Sequence, residues 1–209
     1  SNYSSIAFSQ TVLGLFLGTV VMIAIARSDV RFLKKFAFYF LIAAIVINIL
    51  VLFPEIGFEH AGARRWIRLG VVSFQTSEIL KLAFIIYFAA WLAGAKERVK
   101  TFRWGFLPLI ILLGISTALL LQQPDIDNLI LIIIAGVAMF VAAGGKWRHV
   151  LVIVLAGVSG LVFLAYTKPY IMQRITTFFD PQTDSLGASF QIRQSLIAIG
   201  SGGLFGRGF

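Results

Sequence analysis

Long apolar stretches alternate with short polar segments along most of the chain. None of the apolar stretches shows the period-two alternation of a half-buried strand, so each predicts a helix. A hydrocarbon core of about 30 Å needs roughly 20 apolar residues per crossing helix, and several stretches are shorter than this. The pattern predicts an all-α polytopic membrane protein whose short helices are covered by neighbours or loops. The six expected transmembrane helices are 6–26, 36–53, 79–95, 106–121, 126–143 and 150–166.

The composition agrees with lipid as the solvent. Hydrophobic residues make up 59% of the 209 residues and charged residues 13%, whereas soluble domains have about half and about a quarter. The chain has no cysteine, which excludes disulfides and thiolate chemistry. Its two histidines, His60 and His149, are far apart in sequence, which argues against a zinc site. No metal ligands are predicted on this basis.

The net charge of +9 is distributed unevenly among the polar segments. Three alternate segments, 27–35, 94–105 and 144–149, carry ten Lys and Arg against two acids. The positive-inside rule places these three segments in the cytoplasm. The charge is therefore a topology signal, and we predict no nucleic-acid binding. The opposite, outer face consists of 54–76, 122–128 and the long extracytoplasmic loop 167–209.

Three arginines lie close together in the first outer segment, "GARRWIRLG" (Gly62–Gly70). If this segment is helical, Arg64 and Arg68 share a face and Arg65 points elsewhere. Guanidinium groups are suited to phosphate and pyrophosphate, because their donors form a planar fork. The alternative is that these arginines contact lipid headgroups at the membrane surface.

The third predicted span opens with "FQTSEILKLAF" (Phe74–Phe84), which places two opposite charges at the start of an apolar helix. Ser77 is a candidate N-cap, and Glu78 falls in the first turn, where the helix dipole favours an anion. Lys81 follows three residues later and shares a face with Glu78. The pair is either a structural ion pair or the polar wall of a cavity that reaches into the membrane.

The outer turn "QQPDIDN" (Gln122–Asn128) carries a proline and two acids. Pro124 ends or kinks the preceding helix. Asp125 and Asp127 could bind a divalent cation, Mg²⁺ or Mn²⁺, although two ligands do not make a site. An ordinary polar turn between antiparallel helices is the alternative.

The chain closes on "SLIAIGSGGLFGRGF" (Ser195–Phe209), which is rich in glycine. It contains neither G-x-G-x-x-G nor G-x-x-x-x-G-K-[ST], so a nucleotide loop is not predicted. The stretch "RQSLIAIG" is apolar enough for a re-entrant or interfacial helix, and the glycines after it permit close backbone packing.

Several of these stretches together resemble the SEDS family, the FtsW, RodA and SpoVE proteins of bacterial division, shape and sporulation. They are "GARRWIRLG", "FQTSEILKLA", "QQPD" and "KPYIMQRITTFFDPQTDSLGASFQIRQSLIAIGSGGLFGRGF", in this order. The last one favours the FtsW division branch over the RodA branch. The resemblance implies a ten-helix fold, of which the six spans here correspond to the second through seventh.

The resemblance also implies an activity, namely polymerisation of lipid II into glycan strands of the cell wall. It implies a bacterial cytoplasmic membrane location and a class B penicillin-binding protein as partner, besides membrane lipids. The family's presumed catalytic aspartate is expected beyond Phe209, so the 209 residues alone are expected to be inactive. The alternatives are a lipid II flippase and a non-catalytic scaffold of the division machinery.

Position by position, the resemblance assigns substrate binding to outer-face residues and to the charged pair. A structural role in the loops falls to Pro124, Gly202, Gly203 and Gly206. The substrate-binding candidates that match the family's motifs are Arg65, Glu78, Lys81, Asp125, Arg174, Gln194 and Ser195, and Arg64 is added as a neighbouring outer-face arginine suited to pyrophosphate.

The chain departs from the family pattern at two motifs. Thr76 stands where FQPSE has proline, and Ile126, Asp127 and Asn128 stand where QPDLGT has Leu, Gly and Thr. An aspartate in place of glycine adds charge and backbone restriction beside Asp125. The local geometry of this turn is therefore less predictable than the family as a whole.

Overall fold

Helices account for most of the residues that the computed structural model describes. These residues are 14–27, 29–60, 63–69, 72–169, 171–172, 176–177, 190–203 and 206. The α-helices are α1 (Gly18–Ala26), α2 (Val30–Leu50), α3 (Thr76–Ala95), α4 (Leu107–Gln122), α5 (Ile126–Ala142), α6 (Trp147–Thr167) and α7 (Phe190–Gly202).

Four helical segments in the described part of the chain are long and apolar enough to cross a membrane. They are Val30–Leu50, Thr76–Lys100, Phe102–Gln122 and Trp147–Thr167, with shorter apolar helices at Gly14–Ala26 and Ile126–Ala142. The predicted class, an α-helical polytopic membrane protein, is confirmed. Residues 6–13 of the first predicted span lie outside the described residues.

Three helices, α2, α3 and α6, begin earlier than their apolar stretches suggest. Helix α2 starts at Val30, six residues before the predicted span, because Asp29 caps it by accepting a hydrogen bond from the Arg31 backbone N–H at 2.8 Å. Helix α3 starts at Thr76, three residues before the predicted span. The predicted spans were limited to apolar residues. In the structure, the helices also include the polar and charged residues next to them.

One segment between α2 and α3 departs from the all-helical description. Three strands there form an antiparallel sheet in the order β1 (Gly57–His60), β2 (Ala63–Leu69), β3 (Val72–Gln75). The helical alignment considered for Arg64 and Arg68 is therefore wrong. Aromatic and β-branched residues with glycines on both sides favour strands, and this signal was available in "GARRWIRLG".

Helix α3 packs against α2, α4 and α5. Leu80, Ala83, Phe84 and Phe88 are almost completely buried along it. A Cβ at Gly136 of α5 would come within 2.9 Å of the Phe84 ring and 3.0 Å of Leu109 of α4. Only a glycine permits this close approach of three helices, which is a common way for membrane helices to pack.

The chain divides into two units, residues 1–147 and 148–209. The first contains α1 to α5 and the sheet. The second contains most of α6 and all of α7, at the position where the sequence indicated a re-entrant or interfacial helix. Leu151, Leu155 and Phe163 of α6 are more than half exposed, as suits a helix that contacts lipid.

Candidate functional site

A buried carboxylate, Asp125, lies between α4 and α5 and caps the start of α5. Its side chain is 1% exposed. Oδ2 accepts hydrogen bonds from Ser77 Oγ at 2.6 Å, Gln75 Nε2 at 2.7 Å and Asn128 Nδ2 at 3.1 Å. Asp125 therefore ties the start of α3 and the end of β3 to the start of α5.

These bonds keep Asp125 ionised. Burial by itself raises the pKa of the carboxyl, but hydrogen bonds from Ser77, Asn128 and Gln75 outweigh burial and hold the pKa below its ordinary value. Because an ionised carboxylate only accepts hydrogen bonds, all of its neighbours here act as donors.

Arg65 approaches the same carboxylate from the sheet. Phe58 of β1 pairs with Trp66 and Glu59 pairs with Arg64, so Arg65 is the extra residue of a β-bulge. Bulges re-aim side chains, and here Nη1 of Arg65 comes within 3.8 Å of Asp125 Oδ1. Nε of Arg65 is buried and has no hydrogen-bond partner among the described residues. The guanidinium thus retains donor capacity for a ligand.

Lys81 is connected to the Asp125 carboxylate by hydrogen bonds through the side-chain amide of Asn128. Its Nζ lies 2.8 Å from Glu78 Oε2 and donates to Asn128 Oδ1 at 3.0 Å. Asn128 Nδ2 in turn donates to Asp125 Oδ2 and to Ser77 Oγ. We refer to Arg65, Gln75, Ser77, Lys81, Asp125 and Asn128 as the Asp125 cluster.

A second buried set of polar groups adjoins the Asp125 cluster in the sequence. Asn48 of α2 donates to the backbone oxygens of Ala44 at 2.9 Å and Thr76 at 3.0 Å. Gln123 Nε2 donates to the backbone oxygen of Asn48 at 3.0 Å and to its Oδ1 at 3.1 Å. These bonds hold Thr76, directly before Ser77, and Gln123, two residues before Asp125, so they support the cluster from α2.

The structure brings together four of the predicted substrate-binding residues: Arg65, Glu78, Lys81 and Asp125. Pro124 lies in the turn next to Asp125, and Arg64 lies on β2 with a partly buried side chain. Four other candidates, Gln194, Ser195, Gly202 and Gly203, lie on or directly after α7 in the second unit.

Two of the three loop glycines have positive φ angles, 54° at Gly203 and 73° at Gly206. A residue with a side chain rarely adopts this conformation, so these two positions favour glycine for their backbone alone. Arg174 lies outside the described residues.

Sequence reasoning missed Gln75 and Asn128, and it gave Ser77 the wrong role. Helix α3 begins one residue earlier than Ser77, with Gln75 at the N-cap position, and Ser77 donates to Asp125 instead of capping. The signal for Asn128 was its place three residues after Asp125, which is the usual spacing for a bond between an N-cap and the first helical turn.

The two acids of the turn between α4 and α5 differ in their burial. Asp125 is buried and Asp127 is exposed, and Asp125 Oδ2 already accepts from three side chains. Among the described residues, no group of three or more His, Asp or Glu converges. These side chains therefore form no group of three ligands in the described part of the chain, and Mg²⁺ or Mn²⁺ at this turn stays a prediction.

The chain resembles known proteins over its whole length. The family model described as "Cell cycle protein" (FtsW, RodA, SpoVE) matches residues 1–209. "Probable peptidoglycan glycosyltransferase FtsW" of Geobacter sp. (strain M18) is 38% identical over 192 residues, which are 92% of this chain and 52% of that protein. "Stage V sporulation protein E" of Bacillus subtilis (strain 168) is 34% identical, with the same two shares.

Two solved structures share the fold. One, described as "Structural coordination of polymerization and crosslinking by a peptidoglycan synthase complex", has a TM-score of 0.69 and 32% identity, covering 93% of this chain and 57% of that one. Thermus thermophilus "Rod shape determining protein RodA" has a TM-score of 0.61 and 28% identity, covering 71% and 48%. The chain spans about half the length of the curated relatives it matches.

Proposed function

Because the chain belongs to the FtsW, RodA and SpoVE family, we propose that the complete protein polymerises lipid II into the glycan strands of the bacterial cell wall. Relatives named as probable peptidoglycan glycosyltransferases support this activity. The proposed location is the cytoplasmic membrane, with the Asp125 cluster on its outer side. The proposed partner is a transpeptidase of the class B penicillin-binding type, since one structural match is a peptidoglycan synthase complex.

The proposed reaction is glycosyl transfer between two lipid-linked sugars. The 4-hydroxyl oxygen of the acceptor forms a bond to the anomeric carbon of the donor, and a general base takes the hydroxyl proton. The bond from that carbon to the polyprenyl pyrophosphate breaks, and its electron pair leaves with the pyrophosphate. The protein must therefore stabilise negative charge that develops on the pyrophosphate oxygen.

The observation that carries this proposal is a pair of cations held by one buried network. Arg65 and Lys81 both connect to Asp125, Arg65 directly and Lys81 through Asn128. Among the described residues, the Nε of Arg65 has no hydrogen-bond partner, and the three protons of the Lys81 ammonium have two acceptors, Glu78 and Asn128. Preorganised donors of this kind contribute on the order of 10²–10³-fold each in other enzymes.

Asp125 orients these groups but is a poor candidate for the general base. Its pKa is lowered by the donors around it, despite its burial. A carboxylate that accepts several strong hydrogen bonds has little affinity for a further proton. We assign to Asp125 the role of holding Arg65 and Asn128 in place.

The test is lipid II polymerisation by the complete protein in proteoliposomes, with and without its cognate transpeptidase. We expect glycan strands from the wild type and none from Lys81→Ala, whose side chain contacts both Glu78 and Asn128. A parallel assay follows transfer of labelled lipid II between leaflets. Translocation without polymer would replace the glycosyltransferase proposal with transport, and polymer made by Lys81→Ala would remove Lys81 from the mechanism.

A further inference from the structure

Asn128 is the residue that connects the lysine and the carboxylate of the Asp125 cluster. Its side chain is 7% exposed and contacts three groups. Nδ2 donates to Asp125 Oδ2 at 3.1 Å and to Ser77 Oγ at 3.0 Å, while Oδ1 accepts from Lys81 Nζ at 3.0 Å. No single bond in the cluster joins Lys81 directly to Asp125 among the contacts of the described residues.

The chemistry of the neighbours determines which way the amide faces. An ammonium group only donates and an ionised carboxylate only accepts, so the amide oxygen must face Lys81 and the amide nitrogen must face Asp125. An amide has both kinds of group on one rigid plane. An ionised aspartate has no hydrogen-bond donor for Asp125, and leucine has neither a donor nor an acceptor. Threonine has one hydroxyl oxygen that must both donate to Asp125 and accept from Lys81.

The Lys81 ammonium has three protons, and the structure shows two acceptors for them. Glu78 accepts one hydrogen bond and Asn128 accepts another. Glu78 is 55% exposed and belongs to the same helix three residues away, so by itself it holds the flexible lysine only loosely. Asn128 belongs to a different helix, α5, and is itself fixed by two further bonds.

We propose that Asn128 is a positioning residue that fixes the Lys81 ammonium beside Asp125, so that its remaining proton is presented to a pyrophosphate oxygen of the lipid-linked substrate. The inference rests on the proposed function for its choice of ligand. It concerns a position where this chain departs from its family's pattern, Asn in place of Thr. Asn128 acts through Lys81 and does not contact the reacting atoms.

The test compares substitutions of Asn128 in the complete protein, reconstituted in proteoliposomes between pH 5 and 8. At each pH, the lipid II polymerisation rate of each variant is divided by the wild-type rate. Binding of undecaprenyl pyrophosphate is measured on the same samples. The charged groups around position 128 are Asp125 on its own helix start, Lys81 and Glu78 on α3, and Arg65 on β2. Dividing by the wild-type rate at the same pH removes the pH dependence that the variant shares with the wild type.

Asn128→Asp provides the sharpest result. At pH 8 the new carboxylate lies against Asp125 and cannot donate to it, and we expect a rate at least tenfold below wild type. Burial and the adjacent carboxylate raise the pKa of an aspartate at this position. As the pH falls toward 5, the new carboxyl takes up a proton, donates to Asp125 and still accepts from Lys81, so the ratio to wild type should rise at least threefold.

Asn128→Leu and Asn128→Thr complete the series. We expect Asn128→Leu to be at least tenfold slow at every pH and to bind undecaprenyl pyrophosphate at least fivefold more weakly. Asn128→Thr should stay within about threefold of wild type, because its hydroxyl can both donate and accept. The matched control is Asp127→Asn, at the exposed neighbouring position, for which a flat ratio near 1 is expected.

Two results would overturn the proposal. One is an Asn128→Asp ratio that does not change with pH while the variant keeps the wild-type melting temperature. The other is wild-type rate and binding in Asn128→Leu. If Asn128→Asp does not fold, Asn128→Leu and Asn128→Thr decide. A wild type that binds the pyrophosphate lipid but makes no polymer rejects the proposed function alone, and the binding data then test the role of Asn128.

Discussion

Two Glu–Lys pairs with the same spacing lie at opposite ends of one apolar helical segment, Thr76–Lys100. Glu78 and Lys81 form the first pair, Glu97 and Lys100 form the second, and both have an N–O distance of 2.8 Å. A local description of the sequence cannot distinguish them. Their surroundings differ. The first pair belongs to the Asp125 cluster, whereas the second lies among exposed basic residues.

The Glu78–Lys81 pair is connected to the Asp125 cluster by a further hydrogen bond. Lys81 is 24% exposed and has a second partner, Asn128, on a different helix. Lys100 is 58% exposed, and the structure gives it Glu97 as its ion-pair partner. Exposed pairs of this kind contribute little to stability. Near Lys100, Trp91 stacks on Trp104 at 5.7 Å, and Arg98 lies 4.4 Å above the Trp104 ring, as in an interfacial aromatic belt.

The largest effect is expected where the cluster loses its common acceptor. Asp125→Ala leaves donors of Ser77, Gln75 and Asn128 without a partner, and each buried unsatisfied group costs about 1–3 kcal/mol. We expect a clear fall in melting temperature and at least a hundredfold loss of polymerisation. Asp127→Ala, next to it but exposed, should change neither quantity by much. Equal effects of the two substitutions would contradict a central role for Asp125.

A smaller effect is expected from Arg65→Lys, which retains the charge but loses the planar fork. Because a lysine cannot replace Nη1 and Nε together, we expect a fall of about tenfold in kcat/KM with little change in melting temperature. The control on the same strand is Arg68→Lys, whose guanidinium lies 3.5 Å above the Phe58 ring. If Arg68→Lys reduces polymerisation as strongly as Arg65→Lys, the bulge does not single out Arg65.

The third prediction concerns pH. The pKa of Asp125 lies below its ordinary value of 3.8, so its ionised form stabilises the fold fully above that value. This stabilisation is lost as the pH falls through the lowered pKa. The difference in melting temperature between wild type and Asp125→Asn should therefore be constant from pH 7 to 5 and shrink below 3.8. A difference that grows on acidification would mean that the pKa of Asp125 is raised.

The smallest effect is expected at the other Glu–Lys pair. Glu97→Gln breaks the exposed ion pair while leaving an amide of the same size. We expect no measurable change in melting temperature or polymerisation rate, because both side chains are solvated. Loss of activity in this variant would show that the two pairs are not as different as their surroundings indicate.

The apolar pattern was enough to predict the membrane class and the approximate places of the helices. It did not indicate the sheet, because residues 57–75 were interpreted from their charges instead of their period-two and aromatic content. It also placed the start of the predicted span 36–53 just after Lys35, whereas the helix α2 already begins at Val30 and includes Lys35.

The candidate site was predictable only for its charged members. Arg65, Lys81 and Asp125 stand out in an apolar chain, and the family resemblance assigned them. Asn128 had only its spacing from Asp125 as a signal. Gln75, Asn48 and Gln123 are uncharged amides, and nothing in their local sequence distinguishes a buried amide from a loop residue. Their role depends on contacts between residues 28 to 75 positions apart, such as Asn48 with Gln123, which only the fold reveals.

The most direct measurement of the central claim uses the two lysines as a matched pair. Lys81→Ala and Lys100→Ala are made in the complete protein, and glycan strand formation from lipid II is followed in proteoliposomes with the cognate transpeptidase. Both substitutions remove one lysine from an i, i+3 ion pair. We predict no glycan strands from Lys81→Ala and a near wild-type rate from Lys100→Ala. Equal rates from the two variants would contradict this prediction.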